Sequence, residues 1–297
     1  MSKTISKTTS SAQSPTDPYH SYSEAELAEL PCAYRDDLFK DQVVLISGAA
    51  GGIGTACAVL FARLGATVVG CGRSEGPLKR LEENLGALGF KCWTAPMTIR
   101  DPDAVSDMVS TVLDREGRLD VLVNNAGGQF AAPALDISPK GWHAVVDTNL
   151  NGTWYMMQAA AKRWVDAGVP GCIVNMASLT GGAFVGIAHT AAARAGEINL
   201  SKTLSVEWAP HNIRVNCIAI GKIASPGLKN YPESAEPYFD SNSMRRLGDV
   251  NDVAQAAVYL AGPTGAFVTG SVLTVDGGED VWGEYWPLGK PDYFKTD

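Results

Sequence analysis

A glycine-rich turn is the first group of residues that could do chemistry. The apolar run QVVLIS at residues 42–47 leads into Gly48, Gly52, Ile53 and Gly54, after which a helical pattern begins. Glycines let the backbone approach a ligand closely, and the free N–H groups and dipole at a helix start favour negative charge. The spacing, GxxxGxG, differs from the GxGxxG of other dinucleotide folds, but its position after a strand predicts a pyrophosphate-binding site.

The end of the second apolar run, TVVGC, indicates which dinucleotide would bind. NAD-binding proteins place Asp or Glu there to accept a hydrogen bond from the ribose 2′-hydroxyl. In this chain Gly72, Arg73 and Ser74 follow, and no acid is present. The planar guanidinium of Arg73 can pair with a 2′-phosphate, so the sequence predicts NADP(H). The alternative interpretation is an ordinary surface arginine.

Alternating elements must position these groups. Seven near-continuously apolar runs alternate with amphipathic stretches, and they are QVVLIS, TVVGC, KCWTA, VLVNN, CIVNM, RVNCI and SVLTV. This alternation predicts an α/β fold, a single doubly wound Rossmann-type domain with a seven-stranded parallel sheet. Asp101-Pro102 and Ser138-Pro139 each place a capping residue before a proline, which predicts two helix starts. The second helix is expected to continue to Trp164.

The sequence predicts one dinucleotide-binding catalytic domain over residues 41–278, between two terminal segments. Residues 1–16 are rich in Ser, Thr and Lys, so we expect a flexible N-terminal extension over residues 1–40. Within it, SEAELAEL predicts a short helix that ends at Pro31. The C-terminal tail, residues 279–297, carries Trp282, Tyr285, Trp286, Tyr293 and Phe294. So many aromatic side chains are expected to pack on the domain or on a neighbouring molecule.

A long segment rich in Pro, Ser and Asn, residues 222–246, predicts a substrate lid. Loops of this length inside a compact domain are more often functional than accidental. Its basic residues are candidates for binding the phosphates of a carrier such as coenzyme A, and they are Lys222, Lys229, Arg245 and Arg246. A plain solvated loop is the alternative interpretation.

Composition excludes several classes of protein. The 297 residues contain 24 Lys and Arg against 32 Asp and Glu, and the net charge of −8 argues against nucleic-acid binding. No run of eighteen apolar residues occurs, so a membrane span is not expected. The six cysteines are scattered without metal-ligand spacing, which predicts no metal site and reduced thiols in a cytoplasmic protein.

Three further motifs reveal a family resemblance. Asn124-Asn125-Ala126-Gly127 follows the fourth run, Asn149 lies in DTNLNGT, and Ser178 follows the fifth run in IVNMAS. Together with the glycine turn, these motifs resemble the short-chain dehydrogenase/reductase family over residues 42–278. The resemblance implies an enzyme acting on a small molecule, assembled as a homotetramer or homodimer.

The resemblance also implies roles for individual residues. Asn124, Ala126 and Gly127 would line the cofactor, and Ile223 and Ser225 would lie beside the nicotinamide carboxamide. Asn149 would support a catalytic water through its helix backbone, and Ser178 would bind the substrate oxygen. Gln129 and Phe130 follow NNAGG directly and are expected to reach the mouth of the nicotinamide pocket.

The chain differs from this family at the residues that normally supply the proton. The family places a Tyr and a Lys four residues apart, whereas Thr190 and Arg194 stand at those positions here. A phenol has an unperturbed pKa near ~10 that a neighbouring cation can lower, but an aliphatic hydroxyl titrates far higher. Arg194 stays protonated and cannot relay a proton, although it can bind ribose hydroxyls. His189 becomes a candidate proton donor, and the alternative is a histidine without a chemical role.

One branch of the family shows a similar gap. The strings NNAGGQF, SPKGWHAVVDTNLNGT and SVEWAPHNIRVNC resemble the peroxisomal type of trans-2-enoyl-CoA reductase and the bacterial citronellol dehydrogenases. Neutral donors such as Ser178 and Thr190 can stabilise an enolate oxygen, which favours reduction of the C=C bond of an enoyl thioester. Oxidation or reduction of alcohols, aldehydes or imines is the first alternative. A catalytically impaired NADP-binding module is the second.

Overall fold

The computed structural model describes residues 17–179, 182, 184–230 and 242–281. Seven parallel strands form one sheet in the order β3-β2-β1-β4-β5-β6-β7. The strands are β1 (Val43–Ser47), β2 (Thr67–Gly72), β3 (Cys92–Pro96), β4 (Val121–Asn124), β5 (Gly171–Ser178), β6 (Ile213–Ile220) and β7 (Val272–Val275). The predicted doubly wound sheet is therefore confirmed, and each apolar run forms its strand.

Helices cover both faces of this sheet. They are α1 (Glu24–Glu29), α2 (Gly52–Arg63), α3 (Glu75–Ala87), α4 (Pro102–Glu116), α5 (Pro139–Val146), α6 (Thr153–Ala167), α7 (Ala188–Glu207) and α8 (Val250–Ala261). One large apolar core lies where α2, α3 and α8 pack on the sheet, and the other lies beneath α4 and α6. The five inner strands are buried on both faces, which explains why their sequences are nearly continuous in apolar residues, whereas the edge strands β3 and β7 are only partly buried.

The strand order places the cofactor turn at the centre of the sheet. β1 pairs with β2 on one side and with β4 on the other, so the order reverses beside β1. Ser47 is in register with Asn124, and Asn124 with Asn175, so the carboxyl ends of these strands lie side by side. Open α/β sheets bind ligands in the crevice that forms at this reversal.

Local sequence explains the predicted helix starts. The Asp101 carboxylate accepts hydrogen bonds from the N–H groups of Asp103 and Ala104, and Ser138 caps α5 in the same way. The long helix predicted from Ser138 is interrupted, however, because residues Asp147–Gly152 form a π-helix between α5 and α6. π-Helical turns of this kind occur frequently at functional sites.

The N-terminal segment differs from the prediction of a flexible extension over residues 1–40. From residue 17 onward it packs on the domain, and Leu27 and Phe39 are buried in the core. Arg63 donates a hydrogen bond to the carbonyl oxygen of Leu30 at 2.6 Å. The short helix is α1, which begins at a Ser23–Glu26 capping box and ends before Pro31. Apolar side chains hidden among polar residues outweigh the polar composition of this segment.

Three predicted regions fall wholly or partly outside the described residues. They are residues 1–16, residues 231–241 of the proposed lid, and residues 282–297 of the aromatic tail. In the part of the chain that the structure describes, no helix is long and apolar enough to span a membrane.

Candidate active site

A cavity of about 1540 Å³ opens at the carboxyl edge of the sheet. Most of the side chains predicted as functional line it, namely Gly48, Gly52, Ile53, Arg73, Ser74, Ala126, Gly127, Gln129, Asn149, Ser178, Thr190, Arg194, Ile223 and Ser225. Four others do not, namely Gly54, Asn124, Phe130 and His189. The fold thus brings together residues spread over more than 170 positions of the sequence.

The glycine turn has the geometry of a phosphate cradle. Gly48 has φ +66°, and a Cβ atom there would lie 2.9 Å from Cα of Ala126. Gly54 packs so closely on the Gly48 carbonyl oxygen that a side chain could not be accommodated. Helix α2 begins at Gly52 without a side-chain cap, which leaves its first N–H groups to bind an anion. These features fit a dinucleotide pyrophosphate.

Two asparagines support this turn from β4. Asn125 donates a hydrogen bond from Nδ2 to the Gly48 carbonyl oxygen at 2.9 Å. Asn124 is buried behind the cavity and donates to Oδ1 of Asn175 at 2.8 Å. Asn124 was expected to line the cofactor, but its bond to Asn175 holds it inside the sheet, and Asn125 is the residue that contacts the turn.

The end of the cavity beside β2 carries Arg73 and Arg80. Arg73 and Ser74 are exposed, and Arg73 makes no hydrogen bond or ion pair with any residue that the structure describes. Arg80 lies in the second turn of α3 and lines the same cavity. Sequence reasoning missed Arg80, because it lies within a helix and outside the motif that follows β2.

The N-terminal segment supplies a further wall that no motif indicated. His20, Ser21 and Tyr22 line the cavity near the glycine turn. The Pro18 carbonyl oxygen accepts a hydrogen bond from Ser225 N–H at 3.1 Å, and the Tyr22 hydroxyl donates to the Asp249 carboxylate at 2.6 Å. These two bonds attach the segment to the loop after β6 and to the start of α8.

Two neutral hydroxyl groups face the cavity from adjacent elements. Ser178 is the last residue of β5, and its hydroxyl donates a 3.4 Å hydrogen bond to the Leu179 carbonyl oxygen. Thr190 lies in the first turn of α7 and is 3% exposed. The Thr190 hydroxyl also lies 3.2 Å from Nδ1 of His189. Both hydroxyls can rotate away from these contacts to donate a hydrogen bond to a substrate oxygen, and neither can act as an acid near neutral pH.

His189 is placed away from the substrate. Its side chain is completely buried and packs edge-on against the Phe130 ring, with 4.4 Å between ring centroids. Its Nδ1 accepts a hydrogen bond from the Thr190 N–H at 2.8 Å, which requires the form with the proton on Nε2. Burial lowers the pKa of His189 and keeps the ring neutral. His189, a candidate proton donor, and Phe130, expected at the mouth of the nicotinamide pocket, do not line the cavity.

Arg194 reaches the turn after β4 and pairs with a residue that sequence reasoning missed. Its Nη1 donates to Oε2 of Glu197 at 2.6 Å, and the guanidinium packs directly on Gly127. Burial raises the pKa of Glu197 to about 7, and the adjacent Arg194 limits the rise. Asn149 is also buried, and its carboxamide exchanges two 2.9 Å hydrogen bonds with the backbone of Gly128.

The basic residues of the proposed lid do not converge on a phosphate site. Lys222 lines the cavity but forms an ion pair with Glu279. Lys229 lies over the Tyr19 ring at 5.7 Å, and Arg246 lies near Asp252 at 3.6 Å. Neither these two nor Arg245 lines the cavity. The expectation that all four bind carrier phosphates is therefore wrong for this arrangement.

Comparisons with known proteins agree with this geometry. A family model described as Enoyl-(Acyl carrier protein) reductase matches residues 48–279. A probable 2,4-dienoyl-CoA reductase of Bacillus subtilis is 36% identical over 80% of this chain and 96% of its own length. A peroxisomal 2,4-dienoyl-CoA reductase of Rattus norvegicus is 35% identical, covering 85% of this chain and 88% of the relative.

A solved structure is also similar to this chain. The citronellol catabolism dehydrogenase of Pseudomonas aeruginosa PAO1 superposes with a TM-score of 0.76 and is 33% identical. The match covers 84% of this chain and all of that protein.

Proposed function

Because the chain belongs to the short-chain dehydrogenase/reductase family, we propose that it reduces the activated C=C bond of an enoyl thioester with NADPH. Members of this family are oxidoreductases that use a nicotinamide cofactor and act on small molecules. The observation that carries the proposal is the pair of neutral hydroxyls, Ser178 and Thr190, which face the cavity from β5 and α7. Two titratable side chains that also line the cavity are engaged elsewhere, because Tyr22 bonds to Asp249 and Glu279 pairs with Lys222. The dienoyl-CoA reductases among the relatives support the same substrate class.

The two hydroxyls on this cavity wall are suited to stabilising the enolate that forms when hydride adds to an enoyl thioester. When bound, NADPH would supply a hydride for the substrate β-carbon. Ser178 and Thr190 would donate hydrogen bonds to the thioester oxygen, where negative charge develops. Water entering through the open cavity would protonate the α-carbon, because His189 does not line the cavity. Reduction of a ketone would instead need a proton on an alkoxide, which neither hydroxyl can supply as an acid.

The charges at the nucleotide end support NADPH over NADH. Arg73 can form a bidentate pair with a 2′-phosphate, and Arg80 adds positive potential to the same region. The two residues directly after β2 are Arg73 and Ser74, and neither is a carboxylate that could bind a ribose 2′-hydroxyl. We also propose that the enzyme works in the cytoplasm, because its cysteines are unpaired thiols and burial raises the pKa of Cys57 to about 12.

An alcohol or aldehyde is the second candidate substrate. It is favoured by one observation, the similarity to a citronellol catabolism dehydrogenase. In that case Ser178 and Thr190 would hold the substrate oxygen and a solvent molecule would have to deliver the proton.

A substrate panel tests the proposal. NADPH oxidation is followed with a crotonyl thioester, a terpenoid aldehyde and a cyclic imine as separate substrates. We expect the thioester to give the highest kcat/KM. Thr190→Val should lower kcat about 100-fold, which is the effect of removing one donor to a developing oxyanion. Thr203→Val is the matched control, because Thr203 lies on the exposed side of the same helix.

Two results would contradict it. Preferential turnover of the aldehyde would establish the second candidate. Tight NADPH binding without turnover of any substrate would indicate an NADP-binding module that has lost catalysis.

A further inference from the structure

Glu197 is a buried carboxylate whose position in the core is costly. It lies one turn after Arg194 on α7 and its side chain is completely buried. Oε2 accepts the Arg194 hydrogen bond, while Oε1 has no partner among the described residues. A buried ion pair is often less stabilising than apolar residues of similar volume, so core stability alone does not account for this carboxylate.

The partner of Glu197 stands at the cofactor side of the cavity. A Cβ atom at Gly127 would collide with Nη2 of Arg194 and would lie 3.2 Å from Oδ1 of Asn149. The guanidinium, the Gly127 backbone and the Asn149 carboxamide therefore meet at one point of the wall. Glu197 approaches the guanidinium through its other nitrogen, Nη1. The arginine is thus held from two sides, by the turn after β4 and by the carboxylate.

We propose that Glu197 is a positioning residue, whose carboxylate holds the Arg194 guanidinium against Gly127 and thereby sets the affinity for the nicotinamide half of the cofactor. The inference rests on the proposed function, because it assumes a nicotinamide dinucleotide in this cavity. Glu197 itself does not line the cavity, so it acts only through Arg194.

The surroundings of Glu197 determine how pH affects this role. Desolvation raises its pKa to about 7, and Arg194 is the charged group that opposes the rise. From β6 the Cys217 thiol faces it, and burial raises the pKa of that thiol to about 12, so it stays neutral. Lys202 on α7 acts on Cys217, and the Ser201 hydroxyl bonds the Glu197 carbonyl oxygen. Above neutral pH the Glu197 carboxylate is ionised and forms an ion pair with Arg194. Below neutral pH the carboxyl becomes protonated, and its interaction with Arg194 weakens.

Binding of NADPH to the purified protein without substrate tests the inference. Dissociation constants are measured by nucleotide fluorescence from pH 6 to 8.5 for the wild type, Glu197→Gln and Glu197→Asp. The Gln variant keeps the length of the side chain but removes its charge, and the Asp variant keeps the charge but shortens the reach. Glu207→Gln is the matched control, because Glu207 is exposed at the end of the same helix. Melting temperatures verify that every variant is folded.

We expect both variants at position 197 to bind NADPH about tenfold more weakly than the wild type at pH 8. The ratio of the Gln variant's dissociation constant to the wild type's should fall towards one by pH 6, where the wild-type carboxyl is protonated. This ratio cancels the titration of the 2′-phosphate, whose second pKa is near ~6, since that titration is common to both proteins. Glu207→Gln should follow the wild type throughout.

Four outcomes would overturn the inference. Equal binding by the wild type and the Gln variant at pH 8 would remove the role of Glu197 and leave the proposed function intact. A ratio that does not change with pH would show a purely structural effect. Tighter wild-type binding at low pH would show that the carboxylate acts only by repelling an anionic ligand. Absence of NADPH binding by the wild type would overturn the proposed function and this inference together.

Discussion

At the scale of single residues, the site combines retained hydrogen-bond donors with a missing acid. Ser178 and Thr190 line the cavity. The ring of the neighbouring His189 packs against Phe130, and its Nδ1 accepts a hydrogen bond. In the proposed function, the two hydroxyls polarise the substrate carbonyl oxygen, and water delivers the proton.

The cofactor assignment makes a prediction for Arg73. Arg73→Ala should weaken NADPH binding about 10- to 100-fold, because a charge-assisted bidentate pair is worth about 1.5–3 kcal/mol. NADH binding should change by less than about threefold, since NADH has no 2′-phosphate for the guanidinium to contact. Fluorescence titration with both nucleotides measures the two constants.

Lys79→Ala is the matched control for this test. Lys79 is an exposed cation of α3, the helix that follows Arg73; it lies near Glu83 and does not line the cavity. Equal losses of NADH and NADPH affinity in the Arg73 variant would remove the 2′-phosphate assignment.

Single residues also show what a sequence can and cannot indicate. Gly48 and Ser178 follow apolar strands, so a parallel sheet brings them to one edge, and their position was predictable. Glu197 gave no such signal, because a glutamate within a helix is normally exposed and only the packing of α7 on β6 buries it. The inward position of His189 likewise depends on the exact rotation of α7, which periodicity does not determine.

At the scale of elements, the first described segment contributes to the cofactor cavity. Residues 17–22 cross from the loop after β6 to the start of α8 and place His20, Ser21 and Tyr22 on the cavity wall. Burial and the Asp249 hydrogen bond raise the pKa of Tyr22, so the phenol remains a donor at all physiological pH values. Asp249 also caps α8, which joins the segment to a rigid helix.

Tyr22→Phe is expected to loosen this segment without unfolding the domain. Loss of a buried hydrogen bond to a charged group lowers the free energy of unfolding by about 1.5–3 kcal/mol, and the loss is smaller at a half-exposed site such as this one. Amide hydrogen exchange at residues 18–22 should accelerate, and NADPH should dissociate about three to ten times faster in stopped-flow measurements. Tyr34→Phe is the control, because Tyr34 packs on the core away from the cavity. Unchanged dissociation in the Tyr22 variant would show that the segment does not retain the cofactor.

Element boundaries illustrate the same limit of prediction. The start of α4 was predictable because Asp101 and Pro102 encode a cap locally. The π-helix at Asp147–Gly152 was not, because the tertiary contact between Asn149 and the Gly128 backbone lies within it. Composition also misjudged residues 17–40, in which a few apolar side chains, such as Leu27 and Phe39, are enough to bind the segment to the core.

At the scale of the whole molecule, a net charge of −8 coexists with a site for a polyanion. The potential at one end of the cavity is locally positive despite the negative net charge. The uncapped N-terminus of α2 and the side chains of Arg73 and Arg80 line that end. Electrostatic screening confines the remaining negative charge to short range at physiological salt. The net charge therefore argues against binding of nucleic acid, whereas the local arrangement of N–H groups and arginines determines whether a small anion can bind.

The outer edge of the sheet supports assembly with a second copy of the chain. β7 is an edge strand, Phe267 just before it is fully exposed, and Val206 on α7 is 75% exposed. Gly270 packs on the Ser205 hydroxyl, which brings the segment before β7 beside the last turns of α7. Exposed apolar patches and unpaired strand edges are typical of contact surfaces.

We predict that the protein is a homotetramer or homodimer and that Phe267→Asp shifts it to a smaller species, because a buried charge would oppose the contact. Sedimentation velocity at micromolar concentration measures the change. Leu135→Asp is the matched control, since Leu135 is equally exposed but lies in the loop after β4. A monomeric wild type, or an unchanged mass for Phe267→Asp, would refute this surface. If the control variant dissociated instead, the contact would lie beside the cavity entrance, and assembly would then bear directly on substrate access.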